Sequence, residues 1–97
     1  MTLRKGATQW LPNPPVMPPI VRDYTVILTH EIEAGGYSVT VPALPEVATQ
    51  GETLEEALAN AREAIELSME VRRDEGDPIP PDVDPDVRRV HVEIEAA

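Results

Sequence analysis

The sequence predicts an α+β fold of order βββαβ, a single layer of mixed sheet with one helix packed on one face. Three observations predict it. Apolar residues alternate at period two in runs between Tyr24 and Gln50. A long stretch after Thr53 repeats them three and four apart. A last alternating run follows near the C-terminus. The 97 residues suit one domain with one modest core.

Residues 1–21 read as an arm. Residues 1–20 hold five of the eleven prolines (Pro12, Pro14, Pro15, Pro18 and Pro19), which remove backbone donors and favour extended, solvated chain. Trp10 and Leu11 are the arm's large apolar pair, and two readings stay open: they dock on the domain or a neighbouring subunit, or the arm is a free tail. The domain is expected over residues 22–97.

From Tyr24 to Ile32, Tyr24, Val26, Leu28 and Ile32 fall on one side of an extended chain and Thr25, Thr29 and Glu31 on the other. Glu33-Ala34-Gly35-Gly36 supplies residues tolerant of positive φ, and Tyr37, Val39 and Val41 then alternate with Ser38 and Thr40, so the two runs predict a hairpin. Pro42 and Pro45 end the second strand. Val47–Gln50 predicts a short third one, and Gly51 is expected to give the chain freedom to turn away.

Thr53-Leu54-Glu55-Glu56 has the form of a capping box, in which Thr53 accepts from the Glu56 amide and Glu56 reaches back to Thr53. Leu54, Ala57, Leu58, Ala61, Ile65, Ser68, Met69 and Arg72 then form one helical stripe, which needs a sheet to cover. Acids in the first turn, Arg72 and Arg73 in the last, and Gly76 before Pro78 frame the helix. A proline-rich acidic connector, residues 77–86, leads to a final strand in which Val90, Val92 and Ile94 alternate with polar residues. A right-handed crossover would lay that strand parallel to the first if the two are neighbours.

Composition narrows the function. Without cysteine, disulfides, thiolate metal sites and cysteine nucleophiles are excluded, and the chain suits a reducing cytoplasm. No apolar run is long enough to span a membrane, and Met1–Trp10 does not resemble a signal peptide, so a soluble cytoplasmic protein is expected. All eighteen acids lie from Asp23 onward, against five cations there, and the net charge is −10. Such a surface repels phosphate backbones and suits a basic protein partner, although acidity for solubility alone accounts for it as well.

Gly36-Tyr37-Ser38-Val39-Thr40-Val41-Pro42-Ala43-Leu44-Pro45, then Thr49-Gln50-Gly51-Glu52-Thr53-Leu54-Glu55-Glu56-Ala57 and Ala61-Arg62-Glu63-Ala64-Ile65, resemble the N-terminal domain of the HicB family of antitoxins. The likeness continues through Gly76-Asp77-Pro78-Ile79-Pro80 and covers about residues 22–82. It implies a partial ribonuclease H-like fold and a role as antitoxin in a type II toxin-antitoxin system, binding and masking a HicA-type mRNA interferase toxin. An acidic module over a basic RNA-binding toxin is electrostatically sensible. The resemblance implies neither an enzyme nor a cofactor. Many relatives carry a C-terminal DNA-binding segment. Here Glu95-Ala96-Ala97 follows the last strand directly, so no C-terminal DNA-binding domain and no direct DNA binding are expected, and a stand-alone oligomeric regulatory or scaffolding module without a toxin is the alternative.

Catalytic readings find little support. A ribonuclease H-type site needs a carboxylate in the middle of the first strand, where this chain has Val26-Ile27-Leu28, with Asp23 and Glu31 at the ends. His30 and His91 form an acid-base pair only if their strands are neighbours, and unrelated positions explain them better. Ser38 and Ser68 lack a nucleophile motif. Partner-binding candidates are Pro42, Leu44 and Pro45, equally a strand terminator or a presented loop, and Glu63, Glu66 and Glu70, which are equally a solvated helix face. An open sheet leaves edges at the third and last strands. Arg88, Arg89, His91, Glu93 and Glu95 on the last would set basic against acidic side chains across a twofold axis, so a homodimer or higher homo-oligomer is expected.

Overall fold

The computed structural model describes residues 17–97, so both readings of Trp10 and Leu11, docked or in a free tail, lie outside the described residues. Three strands, β1 (Ile27–His30), β2 (Tyr37–Thr40) and β3 (Ala48–Gly51), precede one helix, α1 (Leu54–Glu75). The sheet is antiparallel in the order β1-β2-β3, with Leu28 opposite Val39, His30 opposite Tyr37, and Val39 opposite Thr49. The α+β class stands, with the helix on one face.

Between β1 and β2 the Glu31 amide donates to the Gly36 carbonyl and the Gly35 amide to the Glu31 carbonyl, at 2.9 and 2.6 Å. Gly35 and Gly36 have φ of 79° and 82°, the left-handed conformation expected of this turn. Ile32 does not continue the apolar side of β1. Pairing has ended before it, and it stands 87% exposed in the turn.

Gly51 corrects the expectation of free backbone. Its φ is not positive. A Cβ there would stand 2.3 Å from the Ala57 nitrogen and 2.6 Å from its Cα, so glycine is required because the first turn of α1 lies directly on β3. The Asn60 amide fixes the same approach by donating to the Gln50 carbonyl at 2.7 Å.

α1 begins at the Thr53 cap, whose hydroxyl accepts from the Glu56 amide at 3.1 Å. The reciprocal half of the box is shifted by one residue, because the Glu56 carboxylate accepts from the Glu52 amide at 2.7 Å. Gly76, with φ of 75°, ends the helix, and the Asp77 amide donates to the Arg72 carbonyl at 2.8 Å.

The core has two linked clusters. Val39, Ala57 and Ala61 pack with Val26, Leu28 and Tyr37. Val41, Leu44 and Val47 pack with Tyr24, Val26, Ala64 and Ile65, so Val26 belongs to both. The small Ala57 and Ala61 let the helix axis come close to β2 and β3.

The last strand does not join this sheet. Residues 77–97 have no regular secondary structure, and Val90, Val92 and Ile94 are exposed. Among the described residues the two edges are therefore β1 and β3, not the third and last strands, and no parallel pair makes the sheet mixed. The connector explains why. The Thr25 amide and hydroxyl donate to the Asp82 carboxylate at 2.9 and 2.7 Å, and the Tyr24 hydroxyl donates to the Pro80 carbonyl. This clamp uses the entrance to β1 for prolines and a side-chain carboxylate, which offer no strand ladder.

Candidate functional site

The corner between β2 and β3 is built from two successive tight turns. The Leu44 amide donates to the Val41 carbonyl and the Val47 amide to the Leu44 carbonyl, both at 2.9 Å. Turns closed at this spacing return the chain to one side every third residue, so Val41, Leu44 and Val47 all point inward. Leu44 is 0% exposed, which removes it from the partner-contact candidates. It is the plug that makes the corner rigid. Pro42 is half-buried and Pro45 exposed, so the corner presents Pro45 and Glu46.

Glu46 ties this corner to the second half of α1. The Ser68 hydroxyl donates to its carboxylate, and the Arg72 Nη2 atom stands 3.0 and 2.9 Å from its two oxygens. The hydrogen bond from Ser68, assisted by Arg72, holds the Glu46 carboxyl below the usual carboxylate range. The corner and helix together enclose an open groove of about 590 Å³ lined by Glu46, Val47, Ala48, Ala64, Leu67, Ser68, Val71, Arg72 and Asp77.

Leu67 and Val71, 61% and 46% exposed, form the apolar strip of that groove. On a helix, residues three and four apart share a face, so Glu63 and Glu70 bracket Leu67 and Glu66 lies on the same side. All three acids are exposed, and Glu66 meets Arg62 at 3.5 Å. The result is an apolar strip with an acidic bank on the helix and the Pro45-Glu46 corner opposite.

The remaining candidates lie elsewhere. His30 stacks on Tyr37 across the hairpin, with ring centroids 4.8 Å apart. His91 stands beside Glu93 at 3.8 Å in the unpaired C-terminal segment, so the two histidines sit on separate parts of the chain. Arg89, His91 and Glu93 are exposed in that segment. Asp23 is exposed ahead of β1 and Glu31 in the turn after it. Among the described residues, no group of three or more His, Cys, Asp and Glu side chains is placed to hold a metal ion, and no helix is long and apolar enough to cross a membrane.

Sequence reasoning missed Glu46, Leu67 and Val71. The available signal was the pair Ser68 and Arg72, polar residues within the apolar stripe of α1, where each needs a partner from another element.

Comparison with known proteins gives a consistent result. A family described as "HicB_like antitoxin of bacterial toxin-antitoxin system" matches residues 24–94. The chain is similar to a UPF0150 protein of Thermoplasma acidophilum, 49% identical over 59 residues that make up 61% of this chain and 84% of the relative. A UPF0150 protein of Synechocystis is 43% identical over 65 residues, 67% of this chain and 81% of that one. An "Antitoxin HicB 1" of Photorhabdus laumondii is 43% identical over 49 residues, 50% of this chain but 32% of that protein.

Proposed function

Because the chain belongs to the HicB-like antitoxin family of bacterial toxin-antitoxin systems, we propose that it binds and masks a HicA-type, mRNA-cleaving toxin through the acid-banked groove of α1. The observation that carries this reading is the exposed Leu67 and Val71 strip beside Glu63, Glu66 and Glu70. A toxin that grips RNA needs a cationic surface to hold phosphates. An acidic bank would steer that surface in, and the apolar strip would slow its departure. Occupation of the toxin's surface is sufficient for the activity, and the proposal includes no catalytic step by this chain.

The test is co-expression with a short basic toxin encoded beside the gene, followed by co-purification and an RNA-cleavage assay. The antitoxin should copurify with the toxin and suppress cleavage. Leu67→Asp should raise the dissociation constant at least tenfold. Reversing Glu63, Glu66 and Glu70 to Lys should slow association and flatten its salt dependence. If both variants bind like the parent chain, the groove is not the docking face. If an active basic toxin neither copurifies nor is suppressed, toxin masking is wrong.

A second reading, a stand-alone oligomeric regulatory or scaffolding module, is favoured by the exposed strand-like segment that contains Val90, Val92 and Ile94.

A further inference from the structure

Residues 87–97 alternate like a strand yet join no sheet among the described residues. Val90, Val92 and Ile94 share one side and are 79, 79 and 91% exposed. The family match runs through residue 94, so the segment is part of the domain.

Its own sheet is out of register. The Asp82 carboxylate is bonded to Thr25, and Pro80 to Tyr24, so the connector passes the entrance of β1 in the same direction as β1. Extended chains advance equally per residue. His30, the last residue of β1, stands as far beyond Thr25 as Val87 stands beyond Asp82. The segment therefore begins where the strand it could have joined ends.

We infer that this segment becomes a strand by pairing antiparallel with the same segment of a second copy, about a twofold axis at Val92. The sequence is self-complementary in that register. Val92 faces Val92, Val90 faces Ile94, His91 faces Glu93, Arg89 faces Glu95 and Arg88 faces Ala96. Directly opposed residues share a face of the ribbon. Both copies of Val90, Val92 and Ile94 thus gather in one apolar stripe, while every acid of the segment meets a histidine or arginine on the other side. A shift of one residue puts Val90 opposite Glu93 and breaks both matches. The two-copy ribbon is independent of toxin masking, since either can occur without the other.

The chain has no cysteine, so single cysteines report the register directly. The full-length protein should sediment as a dimer or a multiple of one. Val92→Cys should cross-link to itself under mild oxidation. Arg89→Cys and Glu95→Cys should each fail alone, because each lies about 20 Å from its own copy, and should cross-link when mixed. Arg89→Glu should raise the dimer dissociation constant at least tenfold, and the exchange Arg89→Glu with Glu95→Arg should restore it. Helical circular dichroism should match the parent in each variant, because these residues lie outside the core. A monomer up to hundreds of micromolar, a dimer in which Val92→Cys does not cross-link, self-linking by Glu95→Cys alone, or an Arg89→Glu dimer as tight as the parent would each overturn the inference.

Discussion

Replacing Gly51 by alanine adds a single methyl group at a position with ordinary backbone geometry, and the structure gives its cost. The new Cβ would lie 2.3 Å from the Ala57 nitrogen, 2.6 Å from the Ala57 Cα and 2.8 Å from the Glu56 carbonyl carbon. All three are backbone atoms in the first turn of α1, so no rotamer change relieves the clash. The helix must move by about 1 Å to restore ordinary contact, and that movement opens the packing of Ala57 and Ala61 on Val39. Overpacking of this kind costs about 1–3 kcal/mol, and contact with three backbone atoms of the helix places this site at the upper end. For a domain of this size, about 3 kcal/mol lowers the melting temperature by roughly 12–24 °C. Gly35→Ala is the control: its φ of 79° carries a left-handed penalty of about 1–2 kcal/mol, but no atom lies within 4 Å of its Cβ. Thermal melts followed by circular dichroism should rank Gly51→Ala below Gly35→Ala, and both below the parent. A Gly51→Ala melt within about 2 °C of the parent would refute the close approach of α1 to β3.

Other outcomes follow from the same structure. Thr53→Ala removes the hydroxyl that accepts from the Glu56 amide and should cost about 1 kcal/mol in chemical denaturation, with Thr53→Ser retaining most of the stability. Ile32→Ser should change stability by no more than about 0.5 kcal/mol in the same assay, since the side chain is solvated in the turn. Glu46 is held below its ordinary range first by Ser68, then by its own backbone amide and by Arg72, and Asp82 by the Thr25 amide and then its hydroxyl. Both carboxyls have folded values lower than unfolded ones, so their stabilisation is present above about pH 4–5 and is lost as pH falls through the folded values. Melting temperatures between pH 6 and pH 3 should fall less steeply for Ser68→Ala and Thr25→Val than for the parent chain.

The elements made by neighbouring residues were legible in the sequence. Gly35 and Gly36 marked the hairpin, Thr53 and Glu56 marked the start of the helix, and the three-and-four spacing marked the side of α1 on which Ala57 and Ala61 are buried, although Leu54 and Leu58 of the same stripe stand 48% and 43% exposed. The features that depend on distant residues were not. Leu44 lies between two prolines and reads as surface, but the double turn carries it into the core. Ile32 has the right parity for the buried side of β1, yet pairing ends before it. The bond between Thr25 and Asp82 joins residues that are remote in sequence, and it diverts the last strand-like run from its own sheet. Of the candidate site, the acids of α1 were visible as a pattern. The Glu46 corner that faces them was not, because it forms only when the loop folds back onto the helix.

The clamp between Tyr24–Thr25 and Pro80–Asp82 brings the ends of the folded core side by side. A short peptide could therefore join them and the backbone could be reopened at Gly35, giving a circular permutant with the same interior. In fusions, cargo attached ahead of Tyr24 and cargo attached after Asp82 would leave the scaffold at the same corner.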